Sequence, residues 1–383
     1  MTVVRVGLIM HGVTGRMGRN QHLERSILAI RKQGGIALPN GDRIVPDPIL
    51  VGRNAERLEL VARETGIEHH TTDLDAALAD PANTIFFDAA STEERHDVLL
   101  RALAAGKHIY CEKPVASDLA LALKVARFAA EHGPKGGVVH DKLSLPGLRK
   151  LAKLRDAGFF GRILSLRAEF GYWIFDGEHD RPQQPSWNHI KAGGGGIILD
   201  MLCHWRYVLD NLVGPVRAVS CLGVRHLDRR WNEAGAPYEP DVEDAAYATF
   251  LLDGGVVAQI NSSYCVRVRR DDLAAFQIDG TEGSAVAGLH RCYMQSRHST
   301  PRPAWNPDSP QPMDFYGQWS EVPSNQTYDN AFKLQWEDFL RHVVTGSPFT
   351  YTLLEGAKGV QLGELAMQSW AERRWIDIPD LRL

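Results

Sequence analysis

The first eighteen residues limit the fold of this chain more than any other segment. A short apolar run, Val3 to Met10, leads directly into the turn His11-Gly12-Val13-Thr14-Gly15-Arg16-Met17-Gly18 and then into a helical segment. Glycines between a buried strand and a helix let a backbone approach a pyrophosphate at the helix N-terminus. The order therefore predicts dinucleotide binding, with a plain strand-to-helix turn as the alternative. The candidate cofactor contacts in the turn are Gly12, Thr14, Gly15, Arg16 and Met17.

Strand-like runs alternate with helical segments as far as about residue 142. The predicted strands after the first are 49–51, 84–88, 107–111 and 137–140, and the Gly- and Pro-rich stretch 34–48 is predicted to be an inserted loop. Ser91 and Glu94 have the spacing of a capping box that opens a helix. Strands that alternate with helices indicate a doubly wound parallel sheet of the Rossmann type.

The pattern changes after about residue 160. The apolar runs 163–172, 217–224, 245–252, 256–264 and 274–278 are mostly longer, and they alternate or are β-branched. Asp253-Gly254-Gly255 predicts a hairpin, and 297–325 predicts an irregular loop. We expect a mostly antiparallel open sheet flanked by helices. The predicted domains are 1–142 for dinucleotide binding and 143–383 for substrate binding and oligomerisation, with the C-terminal helices able to pack back on the first domain.

Bulk composition excludes several classes of protein. A formal net charge of -4 gives no support for a nucleic-acid partner or an anionic membrane surface. Five scattered cysteines form neither a disulfide framework nor a zinc motif, so no metal site is expected. No apolar segment reaches about 18 residues, the length of a membrane span. We expect a cytoplasmic protein.

The end of the second predicted strand bears on the choice of dinucleotide. NAD sites usually have an acidic residue there, which binds the ribose hydroxyls. This chain instead reads Val51-Gly52-Arg53-Asn54. Arg53 could pair with a 2′-phosphate, which slightly favours NADP over NAD. The alternative is a solvated arginine followed by Asn54 as a helix N-cap.

Three polar residues follow or interrupt apolar segments. Lys113 comes just after the predicted strand 107–111, in the tripeptide Glu112-Lys113-Pro114. Such a position points into the crevice where doubly wound sheets bind ligands. Asp200 and His204 are four residues apart in an apolar helical run after four glycines, so they share a helix face. An Asp–His pair hydrogen-bonded in the core is the alternative for these two.

Taken together, these segments resemble the glucose-fructose oxidoreductase / inositol dehydrogenase / rhizopine catabolism (Gfo/Idh/MocA) family over nearly the whole chain. The resemblance implies that Lys113, Asp200 and His204 form the catalytic group. In such a group His204 would take the hydroxyl proton, Lys113 would polarise the substrate oxygen and Asp200 would orient its partners. The resemblance also implies cofactor contacts at Ser91, Thr92, His96, Glu112 and Lys113.

The chain departs from the family pattern in two places. Ser91-Thr92 stand where the family usually has Thr-Pro, and His140-Asp141-Lys142-Leu143 replaces the usual arginine-rich segment. Lys142 therefore becomes a candidate substrate contact, with a local surface ion pair as the alternative. Aromatic residues beside polar groups suit a sugar or cyclic polyol. The candidates of this kind are Trp173 and Trp187, which could equally belong to the core of the second sheet.

The resulting prediction is an NAD(P)-dependent oxidoreductase acting on a secondary alcohol or ketone of a sugar, inositol or related polyol. One alternative is an enzyme that cleaves glycosides or transfers groups by transient oxidation with a tightly bound NAD. Another is a non-catalytic regulator that binds a dinucleotide. The family resemblance also implies a homodimer or homotetramer.

Overall fold

Contacts within the chain divide it into two units. The computed structural model describes residues 2–306, 308–310 and 313–383. The first unit comprises the chain up to Ser144 together with Asp329–Gln361 and Asp380–Leu383. The second unit comprises Leu145–Tyr328 and Leu362–Pro379. The functional domain boundary at 142/143 stays a prediction.

The first unit contains the doubly wound sheet. Among the described residues it is seven-stranded with the order β2-β3-β1-β5-β6-β7, and β4 pairs beside β3. All its pairings are parallel except that of β2 with β3. The strands are β1 (Val3–His11), β2 (Ile36–Ala37), β3 (Arg43–Val51), β4 (His70–Thr71), β5 (Asn83–Asp88), β6 (His108–Cys111) and β7 (Gly136–Val138).

The predicted loop at 34–48 is wrong, because strand β3 already begins at Arg43. Pro46 and Pro48 argued against a strand in the sequence, since proline cannot donate a hydrogen bond to a β-ladder and is normally found in edge strands. On the side away from β1, β2 pairs only with residues 43–44 and β4 only with residues 50–51. The described part of the chain therefore offers no outer partner that would need the missing N–H groups.

Helices cover both faces of this sheet. The segment after the glycine turn is a helix with i→i+5 hydrogen bonding (a π-helix), Met17–Leu28, which continues as α1. The α-helices of the first unit are α1 (Ala29–Lys32), α2 (Ala55–Thr65), α3 (Leu74–Ala79), α4 (Thr92–Ala104), α5 (Leu119–His132) and, after the second unit, α8 (Ala331–Thr345).

Neighbouring strand residues enter different cores because side chains alternate across a strand. Phe87 and Tyr110 pack with the π-helix and with Trp336 of α8 on one face. Phe86 and Ile109 pack with α4 and α5 on the other face. Both faces are therefore buried, which explains the nearly continuous apolar runs of these strands.

The second unit is built on a mostly antiparallel sheet, as predicted. Its described strands form a nine-stranded sheet with the order β17-β16-β15-β14-β8-β13-β12-β9-β18, and only β8 and β13 pair in parallel. The strands of this unit are β8 (Ile163–Gly171), β9 (Val216–Val224), β10 (Arg230–Trp231), β11 (Pro237–Tyr238), β12 (Ala245–Leu252), β13 (Val257–Ser263), β14 (Ala274–Gly280), β15 (Gly283–Ala287), β16 (Cys292–Ser296), β17 (Ser320–Glu321) and β18 (Ile376–Asp377).

Strands β15 and β16 were not predicted from the sequence. Both are five residues long and contain glycine, alanine or polar residues, so their apolar alternation is weak. They form because β14 offers an unpaired edge to β15, and β15 in turn to β16. Two helices of this unit are α6 (Pro146–Asp156) and α7 (Ile197–Leu212), while α9 (Leu353–Glu372) contributes residues to both units.

A search of the described residues for membrane spans finds no helix that is both long enough and apolar enough.

Candidate functional site

The glycine turn is held tightly against the carboxyl end of β5. Gly12 has a φ of 80°, and a Cβ built on it would lie 2.5 Å from the backbone nitrogen of Ala90. A Cβ on Gly18 would lie 2.4 Å from the carbonyl oxygen of Gly12. The fold itself therefore excludes a side chain at these two positions, because contacts this short are not tolerated.

Gly15 differs, because the protein leaves room for a side chain there. A Cβ on it would meet only the carbonyl oxygen of Gly12, at 3.4 Å, and Gly15 is exposed. Thr14 and Arg16 beside it are also exposed, and the following helix has no acidic residue in its first turn. A bare, solvent-facing backbone before a helix N-terminus fits the pyrophosphate of a dinucleotide.

A buried ionic network lies beside this turn, at the end of β5. Asp88 is fully buried, with Oδ1 2.6 Å from Nδ1 of His11 and Oδ2 2.8 Å from Nε of Arg95. Arg95 also donates to the carbonyl oxygens of Ala90 at 2.7 Å and Pro114 at 2.5 Å. The guanidinium thus connects β5, α4 and the segment that carries Lys113, where the Lys113–Pro114 bond is cis.

The charges of this network stabilise one another. Burial alone raises the pKa of Asp88, but the hydrogen bond from His11 and the charge of Arg95 outweigh it and hold that pKa below its usual value. Burial likewise lowers the pKa of Arg95, yet the charge of Asp88 raises it above the usual value. The pair is therefore ionised within the fold, and its geometry holds the end of β5.

Glu112 and Lys113 follow β6 directly. Glu112 is buried, and its Oε2 accepts a hydrogen bond from the backbone N–H of Lys113 at 3.1 Å. Burial raises the pKa of Glu112, but the hydrogen bond from His22 and the charges of Lys113 and Arg95 leave it below the usual value. An anionic carboxylate is therefore kept beside the half-buried Lys113.

The other predicted cofactor residues lie around the ends of β3 and β5. Ser91 is the N-cap of α4, but its side chain makes no capping hydrogen bond, so the predicted capping box is wrong. Glu94 is turned to Arg53 instead, with Oε2 3.6 Å from Nη1. Asn54 caps α2 by accepting from the Arg57 N–H at 2.8 Å. Thr92 and His96 are only partly exposed, and His96 Nε2 is 3.2 Å from Asp97 Oδ1.

In the second unit, helix α7 carries both Asp200 and His204. Its N-terminus is capped by Glu243, which lies two residues before strand β12. Oε1 of Glu243 accepts a hydrogen bond from the Ile198 N–H at 2.9 Å. Burial raises the pKa of Glu243 despite this hydrogen bond. The helix is buried over most of its length, yet Asp200 is only half-buried.

Asp200 and His204 of α7 each have a phenol hydroxyl as a partner. The hydroxyl of Tyr264, just after β13, donates to Oδ2 of Asp200 at 2.6 Å. Burial, together with the charge of Asp200 and its hydrogen bond, raises the pKa of Tyr264 well above its usual value, so the hydroxyl keeps its proton. Nδ1 of the buried His204 lies 2.7 Å from the hydroxyl of Tyr207, one turn along the same helix.

The predicted substrate residues have different environments. Lys142 Nζ lies 2.8 Å from Asp141 Oδ2 in a short helix after β7. Trp173 has the guanidinium of Arg267 over its ring, 4.1 Å from the ring centroid. Trp187 is 57% exposed, so it lies outside the core of the second sheet. Within the described residues, no cluster of histidine, cysteine and carboxylate side chains could hold a metal ion.

Several site residues were missed by sequence reasoning. The sequence predicts a contact at His96, but the buried residue at this point of α4 is its neighbour Arg95. The available signal is a cation on the apolar face of the helix. Asp88 was visible as a carboxylate at the end of a strand. Tyr264 and Tyr207 gave no signal, because a tyrosine in an apolar run is ordinarily a core residue.

Comparisons with known proteins agree with this architecture. The family domain described as "Oxidoreductase family, NAD-binding Rossmann fold" matches residues 48–140, and the "GFO/IDH/MocA C-terminal domain" matches residues 148–286. The D-xylose dehydrogenase of Paenarthrobacter nicotinovorans is 52% identical over 385 aligned residues, which cover 100% of this chain and 99% of that protein.

More distant proteins share the fold. The levoglucosan dehydrogenase of Pseudarthrobacter phenanthrenivorans is 23% identical, over 87% of this chain and 90% of that protein. A solved structure of levoglucosan dehydrogenase in complex with NADH and levoglucosan has a TM-score of 0.79 at 23% identity, over 99% of this chain and 100% of that one. At this identity the likeness concerns the fold alone.

The Rossmann sheet and the sequence relationship define an NAD(P)-dependent oxidoreductase that acts on CH–OH groups. The chain belongs to the Gfo/Idh/MocA family of oxidoreductases, as its resemblance predicted.

Proposed function

We propose that this protein transfers a hydride between a nicotinamide dinucleotide and a secondary alcohol or ketone of a sugar, inositol or related polyol. The observation that carries the proposal is that Asp200 and His204, both on helix α7, are each hydrogen-bonded to a phenol hydroxyl. An aldose is the first substrate to test, because the relative that is 52% identical is a D-xylose dehydrogenase.

The proposal assigns a role to each of three residues. His204 takes the hydroxyl proton during oxidation and returns it during reduction, as an imidazole can near neutral pH. Lys113 donates to the substrate oxygen and stabilises the negative charge that develops there. Asp200, oriented by Tyr264, holds the substrate and the imidazole in place. A bound nicotinamide supplies the carbon that accepts or gives the hydride.

Cofactor binding is assigned to Gly12, Thr14, Gly15, Arg16 and Met17 of the glycine turn, together with Ser91, Thr92, His96, Glu112 and Lys113. Arg53 and Asn54 lie at the end of β3, and Arg53 is 85% exposed and paired only loosely with Glu94. Exposed pairs of this kind contribute about 0–1 kcal/mol, so Arg53 is able to turn to a 2′-phosphate. We therefore favour NADP slightly over NAD. Arg53→Ala tests this, with a larger loss of affinity for NADP than for NAD as the expected result.

Substrate contacts are proposed for Lys142, Trp173 and Trp187. An exposed indole such as that of Trp187 offers an apolar face to the C–H side of a sugar ring, while Lys142 offers donors to its hydroxyls. Asp141 already accepts from Lys142, which limits the directions that its ammonium group can take.

A homo-oligomer is proposed through the outer face of the second sheet. Leu222 and Tyr247 are opposite one another on this face, and so are Leu251 and Val257. All four side chains are exposed although their strands, β9, β12 and β13, are not at the edge of the sheet. A second copy of the chain would remove this apolar surface from water. Replacing Leu251 with Asp should lower the molar mass measured by light scattering if this face is the interface.

The central experiment is a screen of aldoses, polyols and keto-sugars with NAD and NADP in parallel. Lys113→Ala and His204→Ala should each lower kcat/KM by about 100- to 10,000-fold, the usual contribution of such groups. Lys32→Ala and His298→Ala, at exposed positions, are matched controls that should retain full turnover. Full turnover in both site variants would contradict the proposal. Protein that purifies with non-exchanging nicotinamide fluorescence would instead favour the tightly bound, redox-cycling alternative.

A further inference from the structure

Three buried side chains form a chain of hydrogen bonds behind Lys113. Nε2 of His22, in the π-helix, lies 2.7 Å from Oε1 of Glu112. The indole Nε1 of Trp336, in α8, lies 3.0 Å from Nδ1 of the same histidine. His22 and Trp336 are completely buried, so water does not compete for these contacts.

The chemistry of the indole determines where the imidazole carries its proton. An indole N–H can only donate, so Nδ1 of His22 must accept and carries no hydrogen. The ring proton is therefore on Nε2, which donates to Glu112. Trp336 thus selects the one neutral tautomer that binds the carboxylate, in the way that a second partner orients a histidine elsewhere.

Glu112 passes this constraint to Lys113. Its Oε1 is occupied by His22, and its Oε2 accepts from the backbone N–H of Lys113. The carboxylate is therefore fixed at both oxygens. It holds the backbone of Lys113 and also places a negative charge beside that residue, within a region that is largely shielded from solvent.

Gln335, the residue before Trp336 in helix α8, binds the segment that follows strand β7. Gln335 accepts from the His140 N–H at 2.9 Å and donates to the His140 carbonyl oxygen at 2.6 Å. His140 lies two residues before Lys142. Adjacent residues of one helix therefore fix the two segments that carry Lys113 and Lys142, although α8 is about two hundred residues away in the sequence.

We propose that His22 and Trp336 are positioning residues that hold Glu112, and through it Lys113, in the geometry needed for hydride transfer. The inference rests on the proposed role of Lys113. It predicts that loss of the His22–Glu112 hydrogen bond lowers turnover more than it weakens dinucleotide binding, because most of the proposed cofactor contacts, in the glycine turn and at Ser91, Thr92 and His96, make no use of this bond.

Two substitutions at His22 separate the hydrogen bond from side-chain volume. His22→Gln keeps an N–H donor directed at Glu112, whereas His22→Leu fills the space without a donor. We expect His22→Leu to lower kcat by about 10- to 100-fold, the effect of losing a hydrogen bond to a charged group. Its dinucleotide Kd should stay within about threefold, and His22→Gln should recover most of the lost kcat. Trp336→Phe keeps an aromatic ring but removes the indole N–H donor, so the tautomer of His22 is no longer fixed. We expect a smaller loss of kcat from this substitution than from His22→Leu.

Lys113→Met distinguishes the failure of this inference from that of the proposed function. If Lys113 acts as proposed, Lys113→Met is nearly inactive, and adding His22→Leu lowers its residual turnover by no more than about twofold, because contributions through one shared residue are not additive. Wild-type turnover in Lys113→Met would overturn the proposed function. If Lys113→Met is nearly inactive but His22→Leu keeps full kcat, the positioning role of His22 is overturned and the proposed function is not. If His22→Leu does not fold, Trp336→Phe decides. A wild-type kcat in Trp336→Phe would then contradict the positioning role of the Trp336 donor.

Discussion

The phenol hydroxyl of Tyr264 lies 2.6 Å from Oδ2 of Asp200 and donates to it from a buried position after strand β13. The hydrogen bond joins the nine-stranded sheet of the second unit to the helix that carries both proposed second-unit catalytic residues. Because the acceptor is a carboxylate, such a bond is worth about 1.5–3 kcal/mol.

Tyr264→Phe should therefore lower kcat/KM by about tenfold or more, with little change in overall structure. Steady-state kinetics measures the effect. Tyr316→Phe, which removes a hydroxyl from a side chain that is 93% exposed, is the matched control and should behave like the wild type.

Gly15→Ala and Gly12→Ala should have opposite consequences. The protein leaves room for a methyl group at Gly15, so Gly15→Ala should keep its melting temperature but bind dinucleotide about tenfold more weakly, a change of about 1.4 kcal/mol. Gly12 has a positive φ and no such room, so Gly12→Ala should lose stability first. Thermal melts and fluorescence titrations separate the two results. Unchanged affinity in Gly15→Ala would argue against a pyrophosphate contact there.

Arg95→Met should destabilise the first unit strongly. The substitution leaves Asp88 as a buried charge without its cation and removes two donors to backbone carbonyls. Breaking a buried pair from one side costs about 3–5 kcal/mol. Denaturant titration of the apparent unfolding free energy provides the test. His96→Ala, at the next position on the same helix, should cost far less because His96 does not contact Asp88 in the described structure.

His140 should make stability depend on pH. Burial lowers the pKa of this imidazole to about 3 in the folded protein, whereas an unfolded histidine has a pKa near 6.5. The unfolded state therefore binds a proton first as the pH falls. The stabilisation is fully present above pH 6.5 and is lost progressively towards pH 3. The loss of unfolding free energy is about 1–2 kcal/mol at pH 5.

The check for this effect compares His140→Asn with the wild type at pH 7.5 and pH 5. The variant should lose less stability between the two pH values, since its side chain does not titrate. His298→Asn, at an exposed position, should keep the pH dependence of the wild type. An identical pH dependence in all three proteins would contradict a buried, neutral His140.

Sequence patterns predicted most of the fold because its signals are local. Apolar strands, glycine turns and helix periodicity identified the parallel sheet and five strands of the antiparallel sheet. The errors arose where the environment outweighed local preference. Pro46 and Pro48 are tolerated in β3 because, among the described residues, no strand pairs with its middle on the side away from β1. Strands β15 and β16 form because β14 offers an edge.

The candidate site was predicted only in part. Lys113, Asp200 and His204 were visible because polar residues in apolar surroundings stand out in a sequence. Their partners were not, because His22, Trp336 and Tyr264 resemble ordinary core residues until their contacts are known. The sequence predicted His96 and not Arg95 for the same reason, since only the burial of the two side chains distinguishes these neighbours.

The sequence by itself determined the class of fold, the family and the residues that could carry hydride-transfer chemistry, because these depend on composition, spacing and periodicity along the chain. Tertiary structure decided which hydrogen bonds those residues make, which glycines are needed by the fold and which are left bare, and which histidine tautomer faces Glu112. These properties depend on atoms that are as much as 314 residues apart, as in the contact of Trp336 with His22, and no local pattern records such a contact.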